Sequence, residues 1–236
     1  MSSIAKNLEK VRQQIADTAV QSNRQSNEIT LLAVSKTRPA DDLRSAYEEG
    51  QRHFGENYLQ ESLEKIQSLS DLDICWHFIG PLQSNKTRTV AENFDWMHTV
   101  DRLKIAQRLS AQRPEQLAPL NICIQVNISN EDSKSGCSPE QVAELADQIS
   151  QLPNISLRGL MAIPKASSDP KEQAEAFQKM RLLQLELQQS HPQLDTLSMG
   201  MSGDMNEAIS AGSTIVRVGT AIFGPRPPKI ASSDNH

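Results

Sequence analysis

The amino-acid sequence predicts one α/β domain closed into a (β/α)8 TIM-type barrel, with an extra helix at its N-terminus. Three observations carry this expectation. Short apolar runs recur along the chain, helical patterns separate them, and eight such runs can be counted. Strands alternating with helices make a parallel sheet, and eight parallel strands suit closure into a barrel. An open doubly wound sheet is the alternative, because the second and fourth runs are short. A length of 236 residues fits one such domain and buries a core without disulfides or structural metal.

The elements follow in order. Ile4, Leu8, Val11 and Ile15 share a helical stripe, giving an N-terminal helix within residues 1–25. Ile29–Lys36 is apolar and ends before Pro39, as suits a strand covered on both faces. Further strands are expected around Arg52–Gly55, Cys75–Ile79 and Asp95–Thr99, and then at Asn121–Ile128, Leu157–Ile163, Thr196–Met199 and Thr214–Gly219. Between them Leu59, Leu63 and Ile66 mark one helix, and Val142, Leu145 and Ile149 another. The latter opens with Ser138, Pro139 and Gln141, the spacing of a capping box with proline at the first helical position. Ala176, Met180, Leu183 and Leu187 mark the longest later helix, and the Pro-rich segment 225–236 reads as a frayed tail.

Bulk composition removes several function classes. The net charge of −5 gives no electrostatic reason to bind nucleic acid. Three cysteines, Cys75, Cys123 and Cys137, are odd in number and form no C-x-x-C, so neither a disulfide framework nor a zinc site is expected. That usage fits a reducing cytosol. The first residues read as an amphipathic helix rather than a signal peptide, and no apolar run approaches the roughly 18 residues of a membrane span. His53, His77 and His98 lack metal-ligand spacing and H-E-x-x-H is absent, so core or rim roles are expected, with His98 able to face the barrel mouth.

In this fold, chemistry sits at the C-terminal strand ends. Lys36 ends the first run on the same face as Leu32 and Val34. A desolvated lysine there is nucleophilic and suits Schiff-base formation; a strand-end lysine reaching to water is the competing reading. Met199–Met205 offers two glycines for close backbone approach, and Ser202 at the start of a helix running to Ala211, where free N–H groups favour an anion. A plain N-cap serine is the alternative. Val218, Gly219 and Thr220 end the eighth run, and loops after strands seven and eight commonly take phosphate in this fold. Arg217 shares a face with Ile215 and Gly219, so it meets either a ligand or an acid. G-M-S-G-D lacks the last glycine of G-x-S-x-G, which argues against a serine hydrolase.

These residues imply a phosphorylated ligand beside a lysine. The runs LLAVSKTRP, HFGENYLQE, WHFIGPLQSNK, EDSKSG, LRGLMAIP and LSMGMSGDMNEAISAGSTIVRVGTAIFG resemble the pyridoxal phosphate homeostasis proteins, in order, from the first strand to Gly224. The resemblance implies a barrel like the N-terminal domain of alanine racemase, with pyridoxal 5'-phosphate as an internal aldimine on Lys36. It implies that Ser202, Gly203, Gly219 and Thr220 hold the phosphate, that Arg217 faces the pyridine nitrogen and that Asn57 lies near the ring. It further implies a non-catalytic cytoplasmic monomer that buffers the cofactor and delivers it to apo-enzymes. A small amino-acid racemase is the alternative reading, and a Schiff-base aldolase is a third. An arginine can only donate, so it matches an unprotonated pyridine nitrogen, the poorer electron sink. Racemisation also needs acid–base groups on both faces of the α-carbon. In alanine racemases a tyrosine from the partner subunit's C-terminal domain is the second base, whereas this sequence has only Tyr47 and Tyr58.

Overall fold

The computed structural model describes residues 2–132 and 134–226. The chain runs α1 (Ser3–Gln21), β1 (Thr30–Val34), α2 (Ala40–Glu48), β2 (His53–Glu56), α3 (Leu59–Ser68), β3 (Cys75–Phe78), α4 (Thr87–Asn93), β4 (Trp96–Val100) and α5 (Leu103–Gln112). It continues through β5 (Leu120–Gln125), α6 (Val142–Ser150), β6 (Ile155–Met161), α7 (Pro170–Leu187), β7 (Thr196–Ser198), α8 (Met205–Ala211), β8 (Ile215–Val218) and α9 (Thr220–Phe223). The strands pair in parallel in chain order, and β1 pairs with β8 to close the barrel. The open-sheet alternative is thereby excluded. Segment 227–236 of the expected tail lies outside the described residues.

Period-two alternation sorts the strand side chains into two layers. Leu31, Ala33, Phe54 and Val216 point outward and join the large apolar layer between sheet and helices. Leu32, Ile79 and Ile215 point inward and form a separate small cluster with Val34 and Trp96. Around that cluster the barrel interior is polar. One close approach depends on a missing side chain: a Cβ at Gly159 would sit 1.8 Å from the Thr196 carbonyl oxygen, so β6 and β7 approach only with glycine there.

The N-terminal helix buries Ile4, Leu8, Val11 and Ile15, as its stripe predicts, and packs on α2, α8 and α9. Ser2 caps it, accepting from the Ala5 N–H. The capping box at Ser138 forms and opens a short 3-10 turn leading into α6. Two helices turn their expected stripes to the core, with Leu59 and Ile66 of α3 partly buried and Met180 and Leu187 of α7 buried, but cover further residues more deeply. In α7 the buried residues are Phe177, Met180, Gln184 and Leu187, with Ala176 and Leu183 only half-covered. In α3 the fully buried side chains are Ser62 and Lys65, because this helix covers a polar cluster at the ends of β1 and β2. No described helix is long and apolar enough to cross a membrane.

Candidate functional site at the barrel mouth

At the C-terminal strand ends lies a cavity of about 300 Å³, lined by Val34, Lys36, Arg38, Met201, Ser202, Gly203, Arg217, Gly219, Thr220 and Arg226. Six of the seven expected site residues therefore meet on one pocket wall: Lys36, Ser202, Gly203, Arg217, Gly219 and Thr220. Asn57, just past β2, is not on that wall; its Oδ1 is buried without a hydrogen-bond partner among the described residues. Arg38 and Arg226 were not anticipated. Arg38 lies past the end of β1 and beyond the left-handed Thr37, and Arg226 lies beyond the last strand, so no periodicity points to either.

Lys36 is held by its neighbours. It is half-buried, and burial together with the charge of Arg226 moves its amine below the ordinary lysine pKa. The next residue, Thr37, sits at φ 65°, a left-handed conformation costly for a β-branched side chain. Its N–H donates to the Glu61 carboxylate. Behind it the Lys65 ammonium donates to the Ser35 carbonyl at 2.6 Å and to Glu56 Oε1 and Glu61 Oε1 at 2.7 Å each. The Ser35 hydroxyl also donates to Glu56 Oε1, at 3.1 Å. Both residues flanking Lys36 are thus clamped by α3. Burial pushes the Glu56 carboxyl above the usual carboxylate range, against the pull of Lys65.

The turn between β7 and α8 differs from expectation. Ser202 does not start the helix: Asp204 is the N-cap position and its Oδ1 accepts the Met201 N–H at 2.7 Å. The serine lies in the preceding turn, where, among the described residues, the Ser202 and Gly203 N–H groups donate to no backbone carbonyl. The two glycines divide in role. Gly200 has φ +100° and a Cβ there would meet the Ala208 methyl at 2.6 Å, so it answers to packing. Gly203 has open space beside its Cα.

Arg217 is only 4% exposed, points into the barrel, and donates to Ser198 Oγ at 2.8 Å and the Ala162 carbonyl at 3.0 Å. No acid is hydrogen-bonded to it among the described residues. Burial lowers its pKa to about 10, which leaves it a cation near neutral pH. Below it the histidines form a chain not foreseen from sequence. His98 Nδ1 lies 2.8 Å from Ser198 Oγ, His98 Nε2 lies 2.8 Å from His77 Nδ1, and His77 Nε2 lies 3.0 Å from His53 Nδ1. His98 is fully buried inside the barrel rather than at the mouth, and burial lowers its pKa to about 3. His77 is likewise held neutral by burial and its two histidine neighbours. Arginine only donates, so Ser198 accepts from Arg217 and its hydroxyl donates to His98 Nδ1. With that polarity every N–H in the chain points from mouth to floor. The reverse polarity leaves the buried Ser198 hydroxyl without an acceptor.

A closed parallel barrel with a lysine ending its first strand and arginines gathered at its mouth is a ligand-binding barrel of the alanine racemase type. The family model for the alanine racemase N-terminal domain matches residues 2–227. The chain is 56% identical over 226 residues to the pyridoxal phosphate homeostasis protein of Pseudomonas aeruginosa, covering 96% of this chain and 97% of that one. It is 54% identical over 229 residues to the protein of the same name from Escherichia coli K12, covering 96% and 98%. A structure of PipY from Synechococcus elongatus with pyridoxal phosphate bound superposes with a TM-score of 0.81 at 40% identity, covering 94% of this chain and all of that one. The chain belongs to the alanine racemase N-terminal domain family and, within it, to the pyridoxal phosphate homeostasis proteins.

Proposed function

We propose that this protein binds pyridoxal 5'-phosphate at the barrel mouth through Lys36 and serves to buffer and deliver it rather than to turn over a substrate. The observation that carries the reading is the convergence of Lys36 with Arg38, Arg217 and Arg226 on one pocket, with no carboxylate among its described lining residues. A phosphorylated aldehyde meets both demands of such a pocket, an anion for the arginines and a carbonyl carbon for the amine. The residues present fit the group. The free N–H groups of Ser202 and Gly203, with Gly219 and Thr220 opposite, suit the phosphate, and the open space at Gly203 admits it. Asn57, just past β2, offers a buried acceptor without a partner among the described residues.

Bound there, the cofactor supplies an aldehyde that condenses with the Lys36 amine, releasing water and linking it covalently. Arg217, already fixed by Ser198 and Ala162, presents donors to an unprotonated pyridine nitrogen. The described lining residues include no histidine, tyrosine or carboxylate to serve as a second acid–base group, which supports holding over turnover. The Arg52 guanidinium carbon stacks 3.6 Å from the Tyr47 ring centroid, and Tyr58 is exposed and outside the pocket wall. The chain is read as a single-domain cytoplasmic monomer, with pyridoxal-dependent apo-enzymes as recipients.

The test is an absorbance spectrum with added pyridoxal phosphate, before and after borohydride, followed by peptide mapping. A visible band fixed by reduction onto Lys36 is expected, and Lys36→Ala should lose the covalent link while keeping phosphate-driven affinity. A protein left colourless and unmodified would overturn the reading. Exchange of amino-acid α-protons with solvent deuterium would overturn its non-catalytic part.

A further inference from the structure

At the opposite end of the barrel, His53, Cys75 and His77 bring one ligand atom each to within 4.8 Å of the others. The register explains the meeting: His53 pairs directly with Cys75 across β2 and β3, and His77 follows Cys75 by two residues on the same face. His77 Nε2 lies 3.0 Å from His53 Nδ1 and 3.5 Å from Cys75 Sγ. We propose that this trio is a binding site for a zinc-class divalent ion at the floor of the barrel, separate from the cofactor pocket at its mouth.

The geometry fits the chemistry. Tetrahedral zinc with Zn–N of about 2.0–2.1 Å and Zn–S of about 2.3 Å places its nitrogens about 3.3 Å apart and nitrogen and sulfur about 3.5 Å apart. The separation between Cys75 Sγ and His77 Nε2 already matches, the two imidazoles need to part by a few tenths of an ångström, and Cys75 Sγ and the His53 nitrogen start within 4.8 Å of each other. Two imidazoles and a thiolate select a borderline-soft ion over magnesium or calcium, which take oxygen. Three protein ligands leave a fourth position for water, and His53 and Cys75 are half-exposed, so the floor can be reached from solvent. Asp95, whose Oδ2 accepts the Trp76 N–H at 2.8 Å, adds negative charge beside Cys75 and His53.

The surroundings supply the outer support such ligands need. His77 has its other nitrogen 2.8 Å from His98, the contact that fixes tautomer and ring orientation in metal-bound histidines. Loading needs the His77 Nε2 lone pair, so the proton moves to Nδ1 and the line of hydrogen bonds reverses: His77 donates to His98 Nε2, His98 Nδ1 donates to Ser198 Oγ, and the Ser198 hydroxyl gives up its acceptor, a cost that the metal–ligand bonds offset. The Cys75 thiol gives one proton to solvent as its sulfur becomes a thiolate ligand.

The experiment uses the purified full chain, stripped with a chelator and dialysed against Zn2+ alone, with Co2+ as a spectroscopic probe. One equivalent of Zn2+ is expected, with a thiolate-to-cobalt charge-transfer band on Co2+ loading. Cys75→Ser should abolish the band, and His53→Gln, at a half-exposed position, should weaken Zn2+ binding at least tenfold. Far-UV circular dichroism confirms that both variants fold. No uptake by the parent protein, or equal uptake by both folded variants, would overturn the assignment.

Discussion

Lys36 shows how one side chain is made reactive. An amine attacks an aldehyde only when unprotonated, so anything lowering its pKa raises the reactive fraction near neutrality. Burial is the larger cause here and the charge of Arg226 the second. Removing that charge in Arg226→Ala leaves burial in place, so the Lys36 pKa should rise towards its ordinary value without reaching it. The pH midpoint for covalent uptake of pyridoxal phosphate, followed by absorbance at saturating cofactor, should therefore move to higher pH. A midpoint that stays put or falls would show that Arg226 does not act on the amine. Saturation matters, because Arg226 also lines the pocket and its loss weakens affinity independently.

At the scale of elements, the β1–α2 turn that carries Lys36 is tied to α3 by Lys65, Glu56 and Glu61. Glu56 is fully buried, so removing Lys65 strands a carboxylate. Lys65→Met should cost about 3–5 kcal/mol in urea unfolding. Lys65→Met combined with Glu56→Gln should recover part of that loss, since the stranded charge goes too. A double variant as unstable as the single one would mean that the methionine fails to pack. This clamp was not legible in the sequence. The stripe Leu59, Leu63 and Ile66 announced a helix, but apolar periodicity has no means of showing that the helix buries a lysine and a serine. The strands were legible because residues covered on both faces read as continuous apolar runs, and each expected run overlaps an observed strand. Lys36 and Arg217 were legible through strand parity. Arg226 was not, because only tertiary folding of the segment after α9 brings it to the mouth.

Across the whole molecule, the barrel interior carries a line of hydrogen bonds beside its small apolar cluster of Leu32, Ile79 and Ile215. It runs from Arg217 through Ser198, His98 and His77 to His53, joining the cation-lined mouth to the floor. The residues come from β8, β7, β4, β3 and β2, so no spacing along the chain reveals them, and only closure and register assemble them. Such a chain stands or falls together, because each buried group stranded by a substitution costs about 1–3 kcal/mol. His98→Leu leaves the Ser198 hydroxyl without an acceptor and His77 Nδ1 without a donor. Ser198→Ala leaves His98 Nδ1 and one Arg217 donor unmatched. The two losses share a broken contact, so the double variant should be less destabilised than the sum, with a coupling of about 0.5–3 kcal/mol. Urea unfolding of the cofactor-free protein in chelator, across the four-member cycle, measures it. Additivity to within a few tenths of a kcal/mol would mean that the interior groups are satisfied independently, and the line from mouth to floor would then carry no energetic connection.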